Sequence, residues 1–192
     1  MRFADDFILC FQYQGDAARV LKVLSKRFGR FGLTLHPDKT RLVEFGRFAQ
    51  QKAERRGEQK PATFNFLGLT HICARSRRGR FTIHVRTMHK RLRRSLTAIS
   101  QWCQWHRHDP VEKQCDALNR KLRGHYQYYG RPTNYQGIWR FYRSVRRIWK
   151  KWLIRRTRGK TITWARYAQI LHRHPLLRPW ITHPWAGAGS HA

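Results

Sequence analysis

The chain is poor in acidic residues. Its 192 residues contain 10 Asp and Glu against 41 Lys and Arg, which gives a formal net charge of +31 at pH 7. A charge of this size repels itself in the compact state unless a polyanion shares the surface. The balance is untypical of soluble metabolic enzymes and typical of proteins that bind nucleic acid.

Paired cysteines and long apolar runs are also absent. The longest apolar run, Phe7 to Phe11, is too short to span a bilayer, and Asp5 and Asp6 before it do not suit a signal peptide. The scattered cysteines form no CxxC pair, which favours free thiols in a reducing compartment: Cys10, Cys73, Cys103 and Cys115. We therefore expect a cytoplasmic protein with no membrane partner.

The composition changes partway along the chain. All eight tryptophans lie at or after Trp102. Residues 1–85 hold 17 basic and 7 acidic residues, a net +10, whereas residues 86–160 hold 21 and 3, a net +18. We expect an α+β protein with a mixed domain at 1–85, an all-α domain at 86–160 and a basic, aromatic tail at 161–192.

Short elements are predicted for the first region. A buried strand is predicted over Phe7–Phe11, followed by a helix that Asp16 caps and Gly32 ends. The apolar stripe of that helix is Val20, Leu24, Phe28 and Phe31. Further strands are predicted at Leu33–Leu35, Arg41–Phe45, Phe64–Leu69 and Phe81–Val85, with a polar surface loop at 47–61 and a turn at Ser76–Gly79.

Three amphipathic helices are predicted for the second region, each with a narrow apolar stripe and a cationic exterior. The first helix ends before Asp109, the second at Gly130, and the third runs to Gly159. Their stripes are Met88, Leu92, Leu96, Ile99 and Cys103; Val111, Cys115, Leu118, Leu122, Tyr126 and Tyr129; and Ile138, Tyr142, Val145, Trp149 and Trp152.

Two adjacent carboxylates, Asp5 and Asp6, precede the first predicted strand. Mg²⁺ takes one or two carboxylates and leaves its other positions to water and phosphate oxygens. Successive side chains on a strand point to opposite faces, so the two aspartates are not equivalent ligands. A tight turn is the alternative explanation for the pair.

Thiols and imidazoles occur together at Cys103, His106, His108 and Cys115, which is the ligand set of a structural zinc site. Both cysteines, however, fall on the apolar stripes of consecutive helices, where free cysteine packs as a small hydrophobe. We therefore expect no zinc.

Several motifs, in order along nearly the whole chain, resemble the reverse transcriptase–maturase encoded by group II introns. Phe3-Ala4-Asp5-Asp6, residues 33–40 and residues 64–69 resemble the later palm motifs of reverse transcriptases. Residues 118–130 resemble the maturase-specific signature (domain X, or thumb), as do Thr163-Trp164 and His174-Pro175-Leu176. The resemblance implies a partial palm of antiparallel strands and a helix, followed by a three-helix thumb.

The resemblance also implies roles for the palm residues. Asp5 takes the place of the family's metal-binding aspartate and Asp6 that of its second acid, with a weaker metal contact. Lys39 matches a catalytic lysine near the phosphates of the incoming nucleotide; a surface lysine in a turn is the alternative. Phe66, Leu67 and Gly68 match the hairpin that supports the primer end, although for Gly68 a plain strand bend is an equal alternative. Phe3 replaces the more usual tyrosine.

The family's earlier palm motifs, which contribute another metal-binding aspartate, would precede Phe3. We therefore expect an incomplete polymerase site that does not synthesise DNA by itself and holds Mg²⁺ only if a separately encoded N-terminal half completes it. The tail contains no cluster typical of the metal-dependent endonuclease that many relatives add, so no DNA cleavage is expected.

For the second region the resemblance implies binding of group II intron RNA and assistance in its splicing. Tyr128, Trp105 or Trp139 would stack on unpaired bases, whereas Tyr126, Trp149 and Trp152 lie on the stripes and are expected to pack. The alternatives are half of a split polymerase, a non-specific basic RNA-binding protein, or a non-functional remnant. The cations expected to face phosphates are Arg91, Arg93, Arg94, Arg120, Lys121, Arg123, Arg143, Arg146, Arg147, Lys150, Lys151, Arg155 and Arg156.

Overall fold

The computed structural model describes residues 2–3, 6–156 and 161–184, which form an α+β protein. The strands are β1 (Arg2–Phe3), β2 (Asp6–Phe7), β3 (Phe64–Phe66), β4 (Leu69–Arg75) and β5 (Phe81–Thr87). The helices are α1 (Gln14–Gly29), α2 (Ala49–Arg55), α3 (His89–Trp105), α4 (Val111–Tyr129), α5 (Tyr135–Arg156) and α6 (Trp164–Arg173), with a 3₁₀ turn at Pro132–Asn134.

The chain divides into two compact units. The N-terminal unit comprises Met1–Phe66 and Cys73–Thr82. The helical unit comprises Leu67–Ile72 and Ile83–Ala192. Strands β3, β4 and β5 form one antiparallel sheet in that order, and β1 pairs with β2 in a separate ribbon.

The ribbon at the start of the N-terminal unit pairs Arg2 with Phe7 and Phe3 with Asp6. The prediction of a strand over Phe7–Phe11 is therefore wrong beyond Phe7. An apolar run becomes a strand only where a neighbouring strand takes its backbone hydrogen bonds, and here Leu9 stays half exposed.

Helix α1 forms where the apolar stripe predicts it, but with different ends. Its N-cap is Tyr13, so Asp16 lies in the first turn instead of capping the helix. The helix ends at Gly29, which leaves Phe31 outside it and exposed, and Gly32 follows with a positive φ of 67°. No residue of α1 is buried. The capping prediction is wrong because the helix begins two residues earlier than Asp16.

Two predicted strands do not form, and a segment predicted as a loop contains a helix. Residues 33–35 and 41–45 form no strand. The polar segment 47–61 contains α2, which buries Ala49 and Ala53 on one face. Glu44 accepts hydrogen bonds from Lys52 and Arg56, which lower the pKa of its carboxyl group. The buried face of this helix consists of two alanines that lie among polar and charged residues in the sequence, so it has no large apolar stripe.

The segment predicted as one strand over Phe64–Leu69 is a hairpin. β3 and β4 are joined by Leu67 and Gly68, both with positive φ (49° and 75°), as a type I′ turn requires. The strand over Phe81–Val85 and the preceding turn are confirmed.

The core of the helical unit confirms the three predicted amphipathic helices α3, α4 and α5. Tyr126 and Trp149 are fully buried and Trp152 is nearly so, which confirms that these three rings pack inside. The indole Nε1–H of Trp149 donates to Oε1 of buried Gln114 (2.9 Å), so both of these buried polar groups have a hydrogen-bond partner. Gly159, the predicted end of the third helix, lies outside the described residues.

Part of the predicted tail belongs to the same core. Thr163 caps α6 by accepting a hydrogen bond from the backbone N–H of Arg166 (3.2 Å). Tyr167 on α6 is fully buried, and its hydroxyl donates to the carbonyl oxygen of Arg146 (2.8 Å). Among the described helices, none is both long and apolar enough to cross a membrane.

Candidate nucleic-acid interface

The helical unit has almost no negative charge. No Asp or Glu follows Asp116 in the sequence. Helices α3, α5 and α6 contain no acidic residue, and α5 alone carries eight basic residues. The apolar stripes turn inward, so these helices present their cations outward.

Most of the predicted RNA-binding side chains are exposed on α3, α4 and α5. Arg146, Lys150 and Arg156 are half-buried. Within the part of the chain that the structure describes, none of the predicted cations forms a salt bridge with a carboxylate. The exposed members of the set are Arg91, Arg93, Arg94, Arg120, Lys121, Arg123, Arg143, Arg147, Lys151 and Arg155, together with Tyr128.

Aromatic rings lie beside several of these cations. Nζ of Lys150 lies 4.2 Å from the ring centre of Trp164, and the guanidinium of Arg155 lies 4.9 Å from that of Trp152. A cation over a ring face is attracted by the ring quadrupole and keeps its charge. The rings therefore hold the cations near the surface without neutralising them.

Two of the predicted cations are partly committed to the protein. Arg156 donates to the carbonyl oxygen of Asp109 (3.0 Å), which ties the end of α5 to the α3–α4 connection. Arg146 lies over the ring of Tyr142 (5.7 Å), and its Nε is buried without a hydrogen-bond partner among the described residues. These two side chains have fewer donors free for phosphate than the exposed arginines.

The three aromatics predicted to stack on bases differ in availability. Trp105, at the end of α3, is 76% exposed. Tyr128 is 49% exposed, but its hydroxyl donates to the carbonyl oxygen of Leu67 (2.8 Å). Trp139 is 38% exposed and stacks on Tyr135 with ring centres 6.3 Å apart. Trp105 therefore offers the most open ring face.

Residues 118–130 have a structural role that the sequence analysis missed. Asn119 donates to the carbonyl oxygen of Pro175 (3.0 Å) and accepts from the N–H of Leu177 (2.8 Å). The hydroxyl of Tyr126 donates to the carbonyl oxygen of Leu177 (3.0 Å). Residues 118–130 thus hold the segment after α6 against α4. The hydroxyl of Tyr126, a polar group on the apolar stripe of α4, was the available signal, whereas Asn119 is only half-buried.

Asn134, in the 3₁₀ turn, was also missed. It is buried, and its amide accepts from the N–H of Thr87 (2.9 Å) and donates to the carbonyl oxygen of Tyr129 (2.9 Å). One side chain therefore joins the end of β5 to the end of α4.

The structure describes only two of the three residues assigned to catalysis in a polymerase site, Asp6 and Lys39. Asp5 lies outside the described residues. Asp6 is exposed in β2, and Lys39 is exposed in a turn whose N–H groups at Lys39 and Thr40 donate to the carbonyl oxygen of His36. Among the described residues there is no group of three or more His, Cys, Asp or Glu that could hold a metal ion.

The three residues matched to the primer-supporting hairpin lie at the tip of β3 and β4. Phe66 is buried at the end of β3. A Cβ atom added to Gly68 would lie 3.0 Å from the hydroxyl oxygen of Tyr129, so the turn approaches α4 closely. Gly68 therefore forms the bend between β3 and β4, and its match to a primer-supporting glycine stays a prediction.

Glycine-to-alanine variants at two positions of the helical unit are expected to have opposite effects. Gly68→Ala should lower the free energy of unfolding by about 1–2 kcal/mol, because alanine is strained at positive φ and meets Tyr129. Gly124→Ala, in the interior of α4 with nothing within 4 Å, should raise it by up to about 1 kcal/mol. Urea unfolding followed by circular dichroism measures both, and a stabilised Gly68→Ala protein would contradict the turn assignment.

Cys103 and Cys115 are buried in the core, which confirms their predicted packing. Burial raises the pKa of the Cys103 thiol to about 12. Of the two imidazoles considered with them as zinc ligands, His106 pairs through Nδ1 with Asp109 (2.8 Å).

Comparison of the chain with known proteins finds no matching family model, no matching curated protein and no matching solved structure. The family resemblance therefore rests on the motifs of the sequence.

Proposed function

We propose that the chain binds RNA through its helical unit, as a maturase-type protein that holds group II intron RNA and assists its splicing. The observation that carries this proposal is the unpaired positive charge of α3 and α5, where exposed arginines surround a packed core that contains no acidic residue. A folded polyanion is the partner that relieves this charge.

The binding energy would come mainly from phosphate contacts. Each phosphate that an Arg or Lys neutralises releases condensed counterions, so affinity falls steeply with salt. The open ring of Trp105 adds a stacking surface for an unpaired base.

The test is fluorescence anisotropy of the full chain with a labelled group II intron RNA and a scrambled RNA of the same length and composition. With about six to ten of the cations in contact with phosphates, the affinity for intron RNA should fall by about 10³-fold or more between 50 and 200 mM KCl. We expect intron RNA to bind at least about tenfold tighter than scrambled RNA at 150 mM KCl, which is about 1.4 kcal/mol.

A charge-matched pair of variants locates the interface. Arg143→Gln with Arg147→Gln, on the exposed face of α5, should weaken binding and reduce the salt slope by about 2. Arg77→Gln with Arg78→Gln, at an exposed turn of the N-terminal unit, loses the same charge and should change the slope less. Equal affinity for both RNAs would favour a non-specific RNA-binding protein, and no binding at 50 mM KCl would refute the proposal.

A further inference from the structure

An open groove of about 490 Å³ runs between α3 and α5 in the helical unit. Its lining includes Arg93 and Thr97 from α3 and Arg140 from α5, and none of its lining residues is acidic. Both arginines are exposed, so a cation stands on each of the two helices that form the groove. Arg140 was not among the residues singled out from the sequence.

The groove also has an apolar surface. Leu96 of α3 and Ile148 of α5 line it and are half-buried. At Ser100, which also lines it, Oγ accepts a hydrogen bond from Nε1 of Trp152 (3.2 Å), and the guanidinium of Arg155 lies over the Trp152 ring. The site thus combines apolar contact area with flanking positive charge.

This combination matches the chemistry of one nucleic-acid strand with its bases unpaired. Axes of packed helices lie about 8–10 Å apart, so the groove between them is too narrow for a base-paired duplex. An unpaired base has a flat apolar face that packs on side chains, while its phosphates need cations on either side.

We propose that the α3–α5 groove binds a single-stranded stretch of RNA, with a base against Leu96 and Ile148 and the flanking phosphates on Arg93 and Arg140. The inference rests on the proposed RNA-binding function and adds which part of the RNA the groove takes. The exposed arginines of α4 would then contact RNA without distinguishing strands from duplexes.

The test compares a labelled twelve-nucleotide oligouridylate with a labelled twelve-base-pair RNA duplex, both bound to the full chain at 50 mM KCl. Arg93→Gln with Arg140→Gln should weaken oligouridylate binding about tenfold more than duplex binding, and should reduce the oligouridylate salt slope by about 1.4. The matched control, Arg120→Gln with Arg123→Gln on α4, removes the same charge and should weaken both RNAs by similar factors. Circular dichroism checks that both variants fold.

Thr97→Trp fills the groove without changing its charge and gives a second, independent measurement. It should weaken oligouridylate binding and leave duplex binding unchanged. If the two double variants change both RNAs equally, the groove proposal is overturned while RNA binding stands. If the wild-type chain binds neither RNA, the proposed function itself fails.

Discussion

Replacing Trp149 by alanine is expected to lower the free energy of unfolding of the helical unit by about 3–5 kcal/mol. Trp149 is fully buried in α5, and its removal leaves a cavity in the centre of the core. It also removes the donor to buried Gln114, whose Oε1 then loses its partner. Urea unfolding of the full chain, followed by far-ultraviolet circular dichroism, measures the loss.

Two further variants test the role of burial. Trp149→Phe keeps a six-membered aromatic ring in the core, so it leaves a smaller cavity than alanine and its cost should be clearly smaller, although it also loses the N–H donor to Gln114. Trp139→Ala, on the same helix but 38% exposed, controls for the loss of a tryptophan. A Trp139→Ala protein that loses as much stability as Trp149→Ala would contradict the burial pattern described for α5.

The stability of the helical unit is expected to fall by about 3 kcal/mol between neutral pH and pH 4 because of His125. Burial lowers the pKa of this imidazole from 6.5 to about 4. As the pH falls below 6.5, the unfolded chain binds a proton at this imidazole, whereas the folded chain does not bind one until about pH 4. Proton binding therefore stabilises the unfolded state and lowers the free energy of unfolding. The contribution of His125 to the free energy of unfolding is fully present above pH 6.5 and is lost by about pH 4.

The surroundings of His125 favour the neutral ring. The imidazole stacks on Phe141 with ring centres 3.6 Å apart, and Tyr129 lies next to it at 4.6 Å. Its Nε2 is buried without a hydrogen-bond partner among the described residues. A proton there would place a charge in the core with nothing to pair it.

A histidine-to-phenylalanine pair isolates this contribution. His125→Phe should flatten the dependence of unfolding free energy on pH between 7 and 4.5 relative to the wild type. His172→Phe, at an exposed position on α6, is the matched control for the slope of the rest of the molecule. If His125→Phe and His172→Phe give the same pH slope, His125 is not the group responsible.

The sequence predicted the helical unit better than the N-terminal unit. Helices α3, α4 and α5 carry long apolar stripes with a regular 3.6-residue period. This period is a property of each segment's own sequence, so it predicts a helix however the helices pack together. The predicted strands at 33–35 and 41–45 had only short apolar runs, and a short run becomes a strand only when another part of the chain pairs with it. α2 was missed because its buried face consists of alanines.

The sequence predicted that the candidate site is an exposed cationic surface, but not how its side chains are arranged. The excess of arginine and the wide polar faces of the helices indicated an exposed cationic surface. They did not indicate that Arg156 and Tyr128 would hydrogen-bond to backbone carbonyl oxygens, or that Arg93 and Arg140 would flank one groove. Those relations join residues 47 or more positions apart.

The sequence by itself determined the net charge, the three amphipathic helices and the burial of Tyr126, Trp149 and Trp152, because composition and helical period are local properties. Only the tertiary structure decided the type I′ turn at Leu67 and Gly68, the packing of α6 and the segment after it, and the cations that stay unpaired. The turn depends on two positive φ angles that the strand-like pattern of Phe64–Leu69 does not indicate. The other two depend on contacts between residues far apart in the chain, and such contacts leave no periodic signal in the sequence.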